Sequence, residues 1–128
     1  MVRKEKFKPT EAELEILQIL WENGPSTVRE VNERMNAERE VGYTTTLKLM
    51  QIMTEKGMTG RNTDKRTHIY FACVDEGETK NWLLDKFLKS AFRGSAAQLV
   101  MQALGNHDAS NEELEKIKQF IDSMSKRD

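Results

Sequence analysis

Three consecutive threonines, Thr44, Thr45 and Thr46, with Lys48 two residues further on, form the segment of this chain whose residue types and spacing could do chemistry. A β-branched triplet is poor helix material, so a helix with only a structural task seldom carries one. On the first turns of a helix, such hydroxyls reach phosphates or base edges and the threonine methyls meet the thymine methyl. Free backbone amides at a helix start also favour phosphate. A second basic set, Arg61, Lys65 and Arg66, brackets the polar stretch Asn62-Thr63-Asp64 and suits phosphate contact at a turn. The plainer alternative has one threonine capping a helix and the others solvated. The surrounding elements must decide between the two.

Other chemistries have little support. Two histidines, His68 and His107, and one cysteine, Cys73, match no zinc spacing. No glycine-rich phosphate loop, nucleophile elbow or acid pair is visible. No catalytic residue, metal or cofactor is therefore assigned, and an enzyme is not expected. A lone cysteine allows no internal disulfide and fits a reducing cytosol. No apolar run approaches the roughly 20 residues of a membrane helix. The basic Met1-Val2-Arg3-Lys4 start lacks the apolar stretch of a signal peptide. The expected address is cytoplasmic, without membrane insertion.

The net charge of −1 hides an uneven distribution. Residues 1–10 sum to +3, residues 11–40 to −5, residues 41–72 to +3 and residues 73–128 to −2. Phosphate responds to the local field, so an acidic total is compatible with a basic face.

Around the threonines the elements read in order. Thr10-Glu11-Ala12-Glu13 is a capping box opening a helix that carries Leu14, Leu17 and Trp21 with flanking Ile16 and Leu20 and stops at Asn23-Gly24-Pro25. A second helix starts at Ser26 or Thr27, carries Val28, Val31 and Met35, and ends near Asn36. A third runs from about Thr44 to Lys56 and closes at Gly57, with Leu47, Met50 and either Met53 or Ile52 inward. Met58–Arg61 reads as a strand, Asn62–Lys65 as a turn, and Thr67–Val74 as a second strand of period two. Three helices followed by a hairpin is the order of a winged helix-turn-helix, whose third helix enters the major groove.

The remainder, 75–128, differs in character from 1–74 and reads as a separate helical domain. Asp75 caps a helix of about 17 residues bearing Trp82, Leu83, Phe87, Leu88, Ala91 and Phe92. Gly94-Ser95 breaks it, and a short helix runs from Ala96 to Leu104, ended by Gly105. Ser110-Asn111-Glu112-Glu113 opens a last helix in which Leu114, Ile117, Ile121 and Met124 recur with 3-4-3 spacing, a coiled-coil-like seam. Short helices this apolar need a cover, and a second copy of the chain is the simplest; the alternative is that they fold back onto their own winged helix. Trp82, Phe87 and Leu88 with the four seam residues form the expected dimer interface. The fold class is mainly α with a small β-hairpin: a winged helix-turn-helix followed by a three-helix dimerisation tail.

Several stretches together resemble the penicillinase-repressor family of bacteria, which includes the methicillin-resistance repressors. They are Thr10–Leu17 with Leu20-Trp21, Tyr43–Lys48, Met53–Met58 and Arg66–Tyr70. The resemblance implies a homodimer that binds a dyad-symmetric double-stranded operator and blocks transcription. It places Thr44, Thr45, Thr46 and Lys48 toward DNA, and Arg61, Lys65 and Arg66 on the wing. In the best-known members a membrane-bound sensor protease triggers cleavage between an Asn and a Phe of the tail. This sequence has no Asn-Phe pair, and it lacks the Cys-x-Cys tail of the copper-responsive relatives. Met58-Thr59-Gly60 is also more polar than the Leu-Val usual before the wing arginine, which suggests a looser hairpin. The competing function is a winged helix that binds protein and no DNA. A small-molecule regulator ranks third, because no convergent polar groups in the tail would orient a ligand.

Overall fold

The computed structural model describes residues 8–126. The elements are α1 (Glu11–Asn23), α2 (Val28–Asn36), α3 (Tyr43–Lys56), β1 (Thr59–Asn62), β2 (Ile69–Ala72), α4 (Glu76–Phe92), α5 (Ala96–Asn106) and α6 (Asn111–Ser125). The mainly helical winged-helix architecture with its single hairpin is as the sequence implies. Arg3, Lys4 and Lys6, which supply most of the basic charge read at the N-terminus, lie outside the described residues.

Helix starts obey local chemistry. Thr10, Thr27 and Ser110 each accept from the amide three residues on, and Glu13, Glu30 and Glu113 each reach back to the cap amide. At Gly24 (φ +84°) and Gly57 (φ +89°) the chain takes a backbone that side-chain-bearing residues rarely adopt, and α1 and α3 end there.

The chain divides into two compact units, Met1–Leu84 and Asp85–Asp128. In the first, Ile16, Leu17 and Leu20 of α1 meet Val28, Val31 and Met35 of α2 and Met50 and Met53 of α3. Met58 and Tyr70 close that core from the hairpin side. β1 and β2 pair antiparallel from Thr59↔Ala72 to Asn62↔Ile69. Ser26, ahead of α2, adds a bridge to the sheet: its amide donates to Tyr70 O at 2.9 Å and the Tyr70 amide donates to Ser26 O at 2.8 Å. Trp21 Nε1 donates to Val74 O at 3.0 Å, tying α1 to the chain leaving the hairpin.

Two features absorb the unexpected polarity of β1. Thr59 is buried, and its hydroxyl pairs with that of Thr54 at 2.9 Å. Gly60 lies under the ring of its cross-strand partner Phe71, and a Cβ there would stand 2.6 Å from the ring. A side chain at 60 would displace the aromatic cover, so glycine suits this place.

The strands are shorter than the sequence pattern implies, and the hairpin loop spans 63–68. Asn62 Oδ1 accepts from the Asp64 amide at 2.9 Å, an Asx turn that diverts the backbone from the ladder. The second unit holds α5 and α6, neither of which has a buried residue. Gly105 does not end α5, which continues to Asn106. Gly105 keeps a negative φ, and the Asn106 carboxamide donates to Gln102 O at 3.0 Å, holding the last turn.

Candidate nucleic-acid interface

The helix-turn-helix angle is set by side-chain amides. Asn32 Nδ2 donates to Val41 O at 3.0 Å and to Thr46 Oγ1 at 2.8 Å. Asn36 Nδ2 donates to the same Val41 carbonyl at 2.8 Å, and the Val41 amide donates back to Asn36 Oδ1 at 3.1 Å. Two residues of α2 thus hold Val41, near the end of the connector, and the first turn of α3, which aims the helix. The polar pair 32/36 at i, i+4 was not read as functional from sequence. Its signal was an Asn on the flank of an otherwise apolar stripe.

That arrangement corrects the threonine triplet. Thr46 is wholly buried, accepting from Asn32 and donating to Gly42 O at 3.3 Å, with Met35 Sδ 3.7 Å away. It sits one turn before Met50 and two before Met53, on the core face, so it offers DNA nothing. Thr44, Thr45 and Lys48 are exposed, and neither threonine hydroxyl is engaged within the described residues. Gln51, exposed at i+3 from Lys48 and i+7 from Thr44, extends the same stripe. A carboxamide there can read adenine. The helical spacing was its sequence signal, and it was missed.

The N-cap of α3 is Gly42, so the helix has no side-chain cap, and its first turn carries no acid. Its first amides remain open at the exposed end that carries Thr44 and Thr45, a favourable setting for an anion. On the hairpin, Lys65 and Arg66 lie exposed in the loop, and exposed Arg61 approaches Tyr70 Oη at 3.4 Å. A cleft of about 640 Å³ lies between these elements, lined among others by Thr27, Arg29, Tyr43, Leu47, Arg66 and His68.

The charges are sorted. Within residues 11–72, Arg34 pairs with Glu22 (2.5 Å), Arg39 with Glu15 (2.6 Å) and Lys56 with Glu13 (2.9 Å). Arg29, Lys48, Arg61, Lys65 and Arg66 have no carboxylate within pairing distance among the described residues. Within residues 11–72 the unpaired cations are those on the start of α2, the outward stripe of α3 and the hairpin. Among the described residues, Glu13 is the one titratable group clearly perturbed. Burial pushes its pKa up, but the Lys56 ammonium and the bonds with Thr10 outweigh this and hold it below the usual value of 4.5.

No group of three His, Cys, Asp or Glu among the described residues could hold a metal ion, and no described helix is long and apolar enough to cross a membrane. In the second unit, Phe87, Leu114, Ile121 and Met124 are exposed, Leu88 and Ile117 half-buried, and Phe120, unforeseen, is 62% exposed. Trp82 lies in the first unit and is half-buried.

The penicillinase repressor family model matches residues 9–123. The chain belongs to that family. It is a family of transcriptional repressors. The chain is 21% identical over 115 residues to the methicillin resistance regulatory protein MecI of Staphylococcus epidermidis, covering 90% of this chain and 94% of that protein. It is 21% identical over 118 residues to the penicillinase repressor of Bacillus licheniformis, covering 92% of each. A MarR family protein from Bacillus stearothermophilus has a similar fold, with a TM-score of 0.52 at 19% identity over 94% of this chain and 76% of that one.

Proposed function

We propose that this chain is a cytoplasmic homodimeric repressor that grips dyad-symmetric operator DNA with α3 and the hairpin. Thr44 and Thr45 approach base edges, and Lys48, Arg61, Lys65 and Arg66 bind phosphate. Residues 1–74 act as the DNA-binding domain and residues 75–128 as the dimerisation domain, with α4, α5 and α6 supplying the interface. The observation that carries this reading is the sorting of cations. Carboxylates neutralise Arg34, Arg39 and Lys56, whereas those around α3 and the hairpin are left to an external anion. A sensor protease cutting at an Asn-Phe pair forms no part of the proposal, because the sequence has no such pair.

Selection of bound duplexes from a random pool tests it, and the expected yield is a two-fold symmetric site. On that site Thr45→Ala should relax preference at one base pair of each half-site, by about 1–3 kcal/mol. Lys65→Ala should weaken selected and random DNA alike and flatten the slope of log K against log salt by about one unit per protomer. Failure of the wild type to retard any duplex at moderate salt overturns the reading and favours a protein partner.

A further inference from the structure

The geometry points to a phosphate seat in the cleft between the first turn of α2 and the segment leading into β2, with Arg29 and Arg66 as its two cationic sides. The inference rests on the operator-binding reading and adds to it a contact from α2, Arg29, that shares a phosphate with Arg66 of the hairpin loop. Arg29 and Arg66 line the cleft from separate elements, and Tyr43 and His68 add polar groups. Leu47 and the buried Tyr70 supply an apolar lining. Glu30 is the one carboxylate on the lining, and its Oε1 is already held by the Thr27 amide at 2.8 Å as part of the α2 capping box.

Arg29 is singled out by its surroundings. It belongs to the acidic stretch 11–40, where carboxylates outnumber cations and both other arginines are paired. Arg29 alone of the three has no carboxylate partner among the described residues. A guanidinium presents a planar fork suited to two phosphate oxygens, and a phosphodiester carries the single charge that such a site can complement. The cleft includes Tyr43, the first residue of α3, so a strand lying there would flank the groove that Thr44 and Thr45 enter.

The test compares Arg29→Gln with Arg34→Gln, a matched loss of one charge from a paired arginine on the same helix. Arg29→Gln should flatten the salt slope for duplex DNA by about 0.9 unit per protomer, and Arg34→Gln should leave it unchanged. Arg29→Lys should restore most of the slope. In ethylation interference, a phosphate whose modification hinders the wild type should become indifferent in Arg29→Gln. Equal flattening by both glutamine variants would overturn the inference in favour of a diffuse field. So would an unchanged slope for Arg29→Gln when Lys65→Ala behaves as expected, and the operator reading would then stand. Absence of DNA binding by the wild type would remove both.

Discussion

The two compact units solve the problem of apolar surface in opposite ways. The first places its large side chains against one another, so that Ile16, Leu17, Val31, Met35, Met50 and Met53 are at most 1% exposed. The second leaves Phe87, Met101, Phe120, Ile121 and Met124 each about half exposed or more, and neither α5 nor α6 buries a residue. Both are built from capped amphipathic helices, so helix chemistry does not separate them. What differs is length and closure. The first unit has three helices and a hairpin around one core, whereas the second spans only 44 residues, too few to close a core unaided. A fold that cannot finish its core within one chain is suited to finishing it with another.

The strongest way to break this contrast is to charge the exposed seam. Ile117→Asp combined with Ile121→Asp should give monomers in sedimentation and lower operator affinity on the order of a hundredfold, since a two-site grip becomes a one-site grip. The first unit should keep its helical signal and its unfolding transition. Retained dimers would place the interface elsewhere, around Phe87.

A smaller effect sharpens the other side. Thr46→Val removes the hydroxyl that Asn32 engages and should lower stability by about 1 kcal/mol in denaturant unfolding. Base preference and dimerisation should be unchanged. A shift in base preference matching that of Thr45→Ala would mean that Thr46 leaves the core on binding.

The smallest effect depends on pH. Glu13 has a native pKa below its ordinary value, so its contribution is present above about pH 4.5 and is lost as pH falls through the native pKa. Glu13→Gln should therefore cost only about 0.5 kcal/mol near neutrality, because Lys56 is half exposed, and the gap to wild type should close on acidification. A gap that never narrowed as pH fell below 4.5 while the protein stayed folded would show that packing, and not charge, accounts for it. Dimerisation should not respond.

Much of the fold was legible because helix starts are written in short local codes. Thr10 with Glu13, Thr27 with Glu30 and Ser110 with Glu113 all form the boxes that their spacing implies. Helix ends were harder. Gly57 and Gly105 look alike in sequence, but only Gly57 takes a positive φ, and the difference lies in the next residue along the chain. After Gly57 a buried Met58 turns into the core, and after Gly105 an asparagine bonds back into the helix. The candidate site was legible by residue type more than by orientation. Three identical threonines carry no internal cue to phase, and only their register with Met50 and Met53 shows that Thr46 turns inward. Arg29 escaped notice for another reason: charge summed along a sequence cannot show which cation has a partner.

Val41 O receives two carboxamides, from Asn32 and Asn36, and both donors belong to the preceding helix. The aim of α3 is therefore anchored by two carboxamides of α2 at Val41 and Thr46, and the exposed side chains of residues 37, 38 and 40 take no part in those bonds. Such an arrangement separates pointing from spacing. Apart from Arg39, which pairs with Glu15 of α1, the loop can vary in charge or carry a reporter group without touching those bonds, which makes Ala37, Glu38 and Glu40 the natural places to attach a probe that watches the protein meet DNA.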